Sequence, residues 1–517
     1  MNKSLLEKLL DYYHISYEDY LHITREVNLS SFKEGHDFDD IDKAVDLVKE
    51  VIANNGKIII YGDYDADGVM GTSILVKMFQ YLDVVVSYYI PNRYKDGYGL
   101  TLSHAQEYVA SGFNLVITVD NGISAFEPID YLINNGVKVL VLDHHQVQDT
   151  VPNANAICHP TYTHFGETAS SGAFTAFVFS IALLGRIDKY LATLAAISLI
   201  SDMMPLVDYN RDLLRAVFKD YHPFEFSAVD LLADHDPIDE TVIGMKIAPR
   251  INSIGRLCDD ESINQIVNYF TTDDEEFILN YYSYILDMNE LRKNLSKEVA
   301  GLSLEDIKEA IVIKGEYREG IIGLIANSLV NKYHVPCVVF TRGENGSLKG
   351  SARAPEGFDI IKVFNALSNL MLTYGGHALA GGCSISEENF ELFKEEFVKL
   401  SKDNHVEYVP VSAIEVSFNE INLENYELIK SFSPFGESWE PPLLKISHIK
   451  TNTLTFSRDE KHILTSVGFS LRLIGFNFSK EEVIENDYVD LIGELKKNSY
   501  KGKTYLEFNI KKVEPHN

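Results

Sequence analysis

The residues best suited to chemistry in this sequence are three aspartates at alternate positions, Asp63, Asp65 and Asp67. Carboxylates held this close together repel one another unless a cation neutralises them, and hard divalent metals take oxygen ligands of this kind. An exposed acidic turn in which Asp67 caps the following helix would explain the same residues without a metal. This short segment alone leaves a metal site and a capping turn equally open.

Further carboxylates and imidazoles follow other apolar stretches of the sequence. They are Asp120, Asp143, His144, His145 and Asp202. One or two imidazoles among several carboxylates suit Mn²⁺ or Mg²⁺ better than zinc, which prefers more nitrogen or sulfur ligands. Two such ions can stabilise both the attacking and the leaving oxygen of an in-line phosphoryl displacement. Each residue alone could be an ordinary turn or surface residue, but their shared position after apolar elements favours a metal centre.

Short apolar runs predict the elements that position these residues. Residues 57–60, 84–90, 115–119 and 137–142 are rich in β-branched residues, which is typical of buried parallel strands. Residues 69–82 carry one apolar face at helical spacing. The carboxyl ends of parallel strands share one edge of a sheet, where sites form in open α/β folds. The sequence therefore predicts an α/β domain with a metal centre at that edge.

A glycine-rich stretch later in the chain is suited to a close approach by a ligand. Residues 375–382 surround His377 with glycines, among them Gly375 and Gly376. Glycine lets the backbone approach a ligand closely, as phosphate cradles do. Tight packing of small residues would explain the same stretch.

Arginines in two other segments add candidate contacts for an anion. Ser351 and Arg353 combine a hydroxyl with a guanidinium, a pairing that suits a phosphate. Residues 249–257 contain Arg250 and Arg256 around a glycine. Salt bridges between domains would account for these arginines equally well in so acidic a protein.

Composition limits the class of protein. Lys and Arg number 46 against 76 Asp and Glu, and the net charge of −30 argues against indiscriminate binding to duplex DNA but not against a local basic groove. The four cysteines are far apart, which argues against a disulfide framework or a zinc site and predicts a reducing cytoplasm. We find no signal peptide and no apolar run of about 20 residues, so we expect a cytoplasmic protein that does not enter membranes.

The length predicts about three domains, and changes in pattern divide the chain further. The segments are an N-terminal helical segment (1–50), a catalytic α/β domain (51–265), a connecting helix (266–304), a second α/β domain (305–402) and a small β-barrel (408–517). In the last segment, contacts with a single nucleic-acid strand are predicted for interleaved basic and aromatic residues, Lys496, Lys497, Tyr500, Lys501, Lys503 and Tyr505. An ordinary solvated hairpin would explain this last pattern almost as well.

Taken together, these motifs resemble the DHH family of phosphoesterases, which is named for the triplet formed here by residues 143–145. The matching motifs occur in order along almost the whole chain, at residues 61–68, 119–122, 201–206, 250–257, 318–323, 350–353 and 375–382. Several motifs in a fixed order are far more specific than the triplet alone. One departure is Ser171-Gly172, where many relatives have a Cys-Gly pair, and we expect it to affect packing alone.

The resemblance implies an α/β fold in which a parallel-sheet DHH domain is joined by a long helix to a second α/β (DHHA1) domain, followed by an OB-like β-barrel. It also implies a centre of two divalent ions, Mn²⁺ or Mg²⁺. The implied ligands are Asp65, Asp67, Asp120 as the bridge, His144 and Asp202. Asp63 and Asp143 would support the centre. His145 would contact the scissile phosphate or assist the leaving group.

The implied substrate residues lie mainly in the second α/β domain. Ser351 and Arg353, with Arg256 and Arg93, would hold the phosphate of a 5′ end. Gly375 and Gly376 would contact the substrate, and His377 would lie near the scissile group.

The implied activity is metal-dependent 5′→3′ hydrolysis of single-stranded DNA to mononucleotides in DNA repair and recombination. We expect a monomer that meets a single-strand-binding protein or a helicase. Two alternatives are a DHH phosphodiesterase of short oligonucleotides or cyclic dinucleotides and a non-catalytic nucleic-acid-binding subunit. The β-rich tail argues against the first, and the intact set of acidic and imidazole residues argues against the second.

Overall fold

The parallel strands predicted around the acidic turn are present in a computed structural model of the chain. The structure describes residues 3–33, 38–166, 168–258, 261–300, 309–343, 346–404, 412–468, 470–500 and 503–516. The described residues of Met1–Val27 and Val409–Asn517 form one compact unit, and those of Asn28–Tyr408 form the other. None of the described helices is long and apolar enough to cross a membrane.

Two short helices, α1 (Leu5–Tyr13) and α2 (Tyr17–Thr24), begin the chain. Both start with a capping box, in which a serine and an acidic residue three positions later satisfy each other's backbone N–H groups. Leu5 and Leu9 of α1 are buried in one apolar cluster with residues of the C-terminal strands. The predicted N-terminal helical segment is thus divided, because its first two helices belong to the unit that ends the chain.

The first α/β domain is built on a parallel sheet with the strand order β2-β1-β3-β4-β5. Its elements are α3 (Ile41–Ala53), β1 (Ile58–Tyr61), α4 (Ala66–Tyr81), β2 (Ser87–Tyr89), α5 (Leu102–Ala110), β3 (Leu115–Val119), α6 (Phe126–Asn134), β4 (Lys138–Leu142) and β5 (Ala156–Cys158). The strand predicted over residues 84–90 is shorter than expected. Val85 is 96% exposed, so this β-branched run precedes the strand instead of beginning it.

Helices complete this domain and lead out of it. They are α7 (Gly172–Leu184), α8 (Lys189–Ser201), α9 (Asp208–Asp220), α10 (Ser227–Leu232), α11 (Glu240–Val242), α12 (Ala248–Leu257), α13 (Gln265–Thr271) and α14 (Glu275–Ala300). A π-helical segment, Ile243–Ile247, joins α11 to α12. The long helix α14 lies within the predicted connecting segment, whose residues 301–304 fall outside the described part of the chain.

The second α/β domain has a mixed sheet with the order β6-β7-β8-β10-β9. Its elements are β6 (Ile311–Gly315), α15 (Ile322–Tyr333), β7 (Cys337–Arg342), β8 (Ser347–Arg353), α16 (Ile360–Ala366), β9 (Met371–His377), β10 (Ala380–Ser386) and α17 (Phe390–Asp403). Strands β6 and β7 are parallel, and the remaining pairs are antiparallel. One face of β8 is buried and the other is half-buried, so its alternate residues point to the cavity discussed below.

The C-terminal strands form one six-stranded sheet with the order β11-β12-β15-β16-β14-β13. Its elements are β11 (Ile414–Glu415), α18 (Leu423–Lys430), β12 (Leu444–Lys450), β13 (His462–Val467), β14 (Leu471–Phe476), α19 (Lys480–Val483), β15 (Tyr488–Tyr500) and β16 (Lys503–Pro515). Hydrogen bonds between the described strands do not close this sheet, so the predicted barrel is an open one. Its apolar cluster includes Leu473, Leu491 and Phe508.

Candidate metal centre and phosphate pocket

The acidic turn both caps a helix and gathers carboxylates. Oδ1 of Asp65 accepts hydrogen bonds from the backbone N–H groups of Asp67 and Gly68, at 3.0 and 3.1 Å, which makes Asp65 the N-cap of α4. The alternative in which Asp67 caps the helix is therefore wrong. The backbone N–H of Ala66 donates to Asn252 of α12 at 2.8 Å, so a second element also fixes the turn.

Asp67 is buried and held by the start of α7. Its two carboxylate oxygens accept from the backbone N–H groups of Gly172 and Ala173, both at 2.7 Å, and Oδ1 also accepts from the Ser198 hydroxyl at 2.5 Å. A side chain at position 172 would come within 2.7 Å of the Asp120 backbone, so glycine is required there. These contacts orient Asp67 by the positive end of a helix.

Ser171 does more than fill space. Its hydroxyl oxygen accepts from the backbone N–H of Phe174 at 3.1 Å and lies 2.5 Å from the Ser198 hydroxyl oxygen. Since Ser198 also contacts Asp67, Ser171 belongs to the hydrogen-bond network behind the candidate metal centre. The expectation that the departure at this position affects packing alone stays a prediction.

Three strand or helix ends meet at the imidazole of His144. Its Nε2 lies 3.0 Å from Asp120 Oδ1, 3.4 Å from Asp67 Oδ2 and 3.5 Å from Asp202 Oδ2. Asp120 ends β3 with a φ of +62°, a left-handed conformation that is uncommon for a residue with a side chain and is typical of functional sites. The predicted juxtaposition of strand ends is therefore present.

Three overlapping groups of side chains each offer ligand atoms within 4.8 Å of one another. The groups are Asp63, Asp65 and Asp120; Asp67, His144 and Asp202; and Asp120, His144 and His145. Asp120 and His144 occur in two groups each. Together the three groups could hold two neighbouring divalent ions.

The electrostatics of the carboxylates call for a cation. Burial, followed by the charge of neighbouring carboxylates, raises the pKa of Asp63 and that of Asp202 to about 8. The same two causes raise the pKa of Asp120 well above its ordinary value. Oδ1 of Asp63 is buried without a hydrogen-bond partner among the described residues. Burial lowers the pKa of His144, which keeps its imidazole neutral as a ligand requires. The candidate ligands offer mainly oxygen atoms and carry little positive charge, so they fit Mn²⁺ or Mg²⁺.

Asp143 forms a hydrogen bond with the ring of His145 and belongs to none of the three groups of candidate ligands. Its carboxylate accepts from the Ile123 backbone N–H at 2.8 Å and from Nδ1 of His145 at 2.8 Å. Although burial opposes ionisation, the His145 hydrogen bond and charge hold the pKa of Asp143 well below its usual range. Burial lowers the pKa of the His145 imidazole, but the carboxylate of Asp143 outweighs this effect and raises that pKa to about 9. The pair therefore carries an ionised carboxylate beneath a protonated ring at neutral pH.

A cavity of about 380 Å³ between the two α/β domains contains the predicted phosphate residues. Arg93, Arg256, Ser351 and Arg353 all line it. Nη1 of Arg353 donates to the Ser351 hydroxyl at 3.1 Å, so these two residues of β8 act together. Arg250 does not line this cavity, because its guanidinium forms an ion pair with Asp234 at 2.8 Å.

The cations of this cavity are poorly compensated. Burial lowers the pKa of Arg256 to about 10, and the charges of Arg93 and Arg353 act in the same direction. Burial also lowers the pKa of Arg353. Nε of Arg93 is buried and has no hydrogen-bond partner in the part of the chain that the structure describes. An anion bound among these guanidinium groups would relieve both their repulsion and their loss of water.

The glycine-rich stretch forms a β-hairpin. Gly375 and Gly376 lie on the edge strand β9, where they pair with Gly382 and Gly381 of β10. His377 is exposed at the end of β9 and belongs to none of the three candidate ligand groups. Gly382 lines the cavity. The roles predicted for Gly375, Gly376 and His377 stay predictions.

Three family models match separate parts of this chain. The model of the DHH family, N-terminal domain matches residues 57–199, that of the DHHA1 domain residues 288–403, and that of the RecJ OB domain residues 413–512. This chain therefore contains a DHH-family domain at residues 57–199.

Curated relatives of this DHH protein extend along almost its whole length. It is 28% identical to the single-stranded-DNA-specific exonuclease RecJ of Haemophilus influenzae, over 99% of this chain and 96% of that protein. It is 27% identical to the single-stranded-DNA-specific exonuclease RecJ of Bacillus subtilis, over 93% of this chain and 64% of that longer protein. A crystal structure of RecJ in complex with Mn²⁺ from Thermus thermophilus has a TM-score of 0.82 at 23% identity, covering 99% of this chain and 78% of that chain. The predicted fold class is confirmed.

Several site residues of this DHH protein were missed from sequence. Ser198 and Asn252 fix the acidic turn and its aspartates, and Tyr98 contacts His145 at 2.9 Å. Lys349 lines the phosphate cavity beside Glu319, with 2.9 Å between Nζ and Oε2. Lys349 alternates with Ser351 and Arg353 along the sequence, a period of two that could have placed it on the same strand face. No comparable signal marks Ser198, whereas Asn252 lies within the motif at residues 250–257.

Proposed function

We propose that this DHH protein is a metal-dependent exonuclease that degrades single-stranded DNA from the 5′ end to mononucleotides. One observation carries the proposal: a single turn joins the metal centre to the phosphate cavity. Tyr64 lies between Asp63 and Asp65, and the guanidinium of Arg93, a cavity residue, lies 4.3 Å from the centre of its ring. A terminal phosphate in the cavity would therefore place the adjoining nucleotide beside the carboxylates.

The metal ligands follow from the three groups of side chains. Two divalent ions, Mn²⁺ or Mg²⁺, would be held by the ligand-type residues Asp63, Asp65, Asp67, Asp120, His144 and Asp202. When bound, such ions withdraw charge from a phosphodiester and stabilise its attacking and leaving oxygens. The protein's own contribution is to keep the ligands oriented, through Asn252 and Ser198, and to keep His144 neutral.

We assign the direction of cleavage to binding of the 5′ end of the strand. Arg93, Arg256, Arg353 and Ser351 offer guanidinium and hydroxyl donors that match a terminal phosphate. An enzyme that anchors the 5′ phosphate beside its reaction centre cuts at a fixed short distance from that end. His145, held by Asp143, would contact the scissile phosphate or the leaving group, and His377 on β9 would lie near the same group.

Retention of the strand is assigned to the C-terminal unit. There the guanidinium of Arg472 lies 4.2 Å from the ring centre of Tyr505, which forms a flat cationic and aromatic surface suited to bases. Lys497, a predicted contact, is paired with Glu427 at 2.6 Å. Lys501 lies outside the described residues, as do the side chains of Tyr500 and Lys503. A loss of binding to long strands in Arg472→Ala, with dinucleotide hydrolysis kept, would support this assignment.

The test is a nuclease assay on strands labelled at either end. We expect Mn²⁺-dependent release of mononucleotides from the 5′ end of single-stranded DNA and little attack on duplex. Asp120→Ala and His144→Ala should lose activity while their circular dichroism spectra stay unchanged. Preference for a dinucleotide over a long strand would favour a phosphodiesterase of short oligonucleotides instead. No release with any divalent metal would favour a non-catalytic binding subunit.

The remaining proposals concern the cellular setting. We infer a role in DNA repair and recombination, a monomeric state, a cytoplasmic location, and contact with a single-strand-binding protein or a helicase. No disulfide joins the cysteines, and Cys158, Cys337 and Cys383 are buried, which supports a reducing compartment. Light scattering tests the monomer, cell fractionation the location, and affinity capture with purified partners the association.

A further inference from the structure

Tyr98 reaches the metal centre from the loop between β2 and α5. Its hydroxyl lies 2.9 Å from Nε2 of His145, and the two rings meet edge to face with their centroids 5.6 Å apart. Tyr98 is 54% exposed, so the other side of the ring is open to solvent. The tyrosine thus covers the one nitrogen of His145 that Asp143 does not hold.

The loop that carries this tyrosine is fixed on both sides. Gly97 and Gly99 have φ angles of +78° and +74°, a left-handed conformation that glycine adopts without steric cost. The Gly99 carbonyl accepts from the buried Tyr61 hydroxyl at 2.9 Å. Before the tyrosine, the Asp96 carboxylate accepts from the Asn92 backbone N–H at 2.7 Å. The side chain therefore projects from a backbone that is held in place on both flanks.

His145 is held at both ring nitrogens. Nδ1 donates to Asp143 at 2.8 Å, and the hydroxyl of Tyr98 can donate to Nε2 of a neutral ring or accept from a protonated one. The side chain of His145 is 41% exposed, so packing alone does not fix it. A single hydrogen bond at Nδ1 leaves the ring free to tilt about that bond. The second one at Nε2 removes this freedom.

We propose that Tyr98 is a positioning residue, which holds the His145 ring in place until a phosphate beside the carboxylates takes over the hydrogen bond at Nε2. The inference rests on the proposed function. Since Tyr98 would act through His145, its loss would lower the rate at which bound substrate is cleaved. Substrate binding would stay almost unchanged. A tyrosine that contacted the DNA itself would instead affect binding.

The first test is the steady-state kinetics of Tyr98→Phe on 5′-phosphorylated single-stranded DNA with Mn²⁺. Loss of a hydrogen bond to a charged or polar ring predicts a fall in kcat of about tenfold, with KM changed by less than about twofold. Tyr88→Phe, which removes a hydroxyl from the neighbouring strand β2, is the matched control and should behave as the wild type. Mn²⁺ binding by calorimetry and thermal unfolding should be unchanged in both variants.

The second test is a double-mutant cycle with His145→Asn. If Tyr98 acts through His145, Tyr98→Phe should lose its effect on kcat in that background. An unchanged kcat in the single variant, a rise in KM alone, or a tenfold loss that persists without His145 would each overturn the inference.

The two proposals fail in different ways. A wild-type protein that releases no nucleotide with any divalent metal would refute the proposed function. An active wild type with an equally active Tyr98→Phe variant would refute the role of Tyr98 alone.

Discussion

The guanidinium of Arg93 lies 4.3 Å from the centre of the Tyr64 ring, and Tyr64 is flanked in sequence by two aspartates of the metal centre. Arg93 in turn lines the cavity between the two α/β domains. The guanidinium proposed to bind phosphate and the turn proposed to bind metal are therefore in direct contact. Cation–π contacts of this kind are worth roughly 0.5–2 kcal/mol, depending on exposure to water.

This contact predicts a selective effect of Tyr64→Leu. Without the aromatic ring, Arg93 loses a partner that holds it in the cavity. We expect KM for a 5′-phosphorylated strand to rise about threefold to tenfold, as the energy of the contact suggests. KM for a 5′-hydroxyl strand and the affinity for Mn²⁺ should change little. A comparable rise for both strands would show that Tyr64 does not act through the phosphate cavity.

Ser198→Ala should weaken metal binding without unfolding the protein. The Ser198 hydroxyl donates to Asp67 and so fixes a candidate ligand from behind. Loss of such supporting contacts typically lowers metal affinity by about tenfold or more. Titration of Mn²⁺ by calorimetry measures the effect. Ser180→Ala, another buried helical serine whose hydroxyl bonds a backbone carbonyl, is the control and should bind Mn²⁺ normally.

The metal-free protein should become less stable as the pH rises from about 4 to about 8. Asp63 and Asp202 have pKa values near 8 in the folded state against 3.8 ordinarily, so the folded state binds more protons across this interval. The stabilisation is complete below the unfolded pKa and is lost as the pH rises through the folded one. Added Mn²⁺ replaces the protons and should restore stability most at pH 8.

Thermal unfolding in chelator tests this dependence. A fall in melting temperature of about 5 °C or more is expected between pH 5 and pH 8, since each unit of pKa change is worth about 1.4 kcal/mol. An Asp63→Asn and Asp202→Asn double variant should show a smaller fall, with the remainder due to Asp120, whose pKa burial also raises. A metal-free wild type that is more stable at pH 8 than at pH 5 would contradict the assignment.

Glu319→Gln should improve recognition of a 5′ phosphate. Glu319 holds Lys349 at 2.9 Å inside the cavity and competes with an incoming anion for it. Because both side chains are partly exposed, the pair is worth about 1 kcal/mol or less, and KM for a 5′-phosphorylated strand should fall about twofold to fivefold. Lys349→Met should raise KM by a similar factor. Equal KM values for the wild type, Glu319→Gln and Lys349→Met would show that Lys349 does not contribute to the phosphate site.

The sequence was sufficient for the parts of the site that follow strands. Asp120 and Asp143 each come directly after an apolar run, and parallel strands bring such ends to one edge, so their proximity was predictable. Which aspartate caps α4 could not be predicted from the sequence. Asp65 and Asp67 are both acceptable caps, and the choice depends on which carboxylate forms hydrogen bonds with residues of α7 and α8. The strand predicted over residues 84–90 was too long because the β-branched side chain of Val85 faces solvent and is not part of a strand.

Contacts between distant segments account for what remained hidden. Ser198 and Asn252 are ordinary residues in helical segments, and they become site residues through the tertiary paths of α8 and α12. Tyr98 lies on a loop whose course depends on a hydrogen bond from the hydroxyl of Tyr61. The position of Tyr61 in an apolar run predicts that it is buried, but it does not predict its partner. Local patterns carry little information on pairs of this kind.

The burial of Leu5 and Leu9 among the C-terminal strands has a consequence for biosynthesis. The ribosome makes α1 before its apolar partners, such as Ile414 and Phe432, which emerge after about four hundred further residues. The unit that contains α1 therefore cannot complete its core until these partners have been made, whereas residues 28–404 can fold earlier as an inserted body. A fragment that stops near residue 404 would leave the first helix without its partners, and the β unit would need residues 3–27 grafted onto it to be made alone.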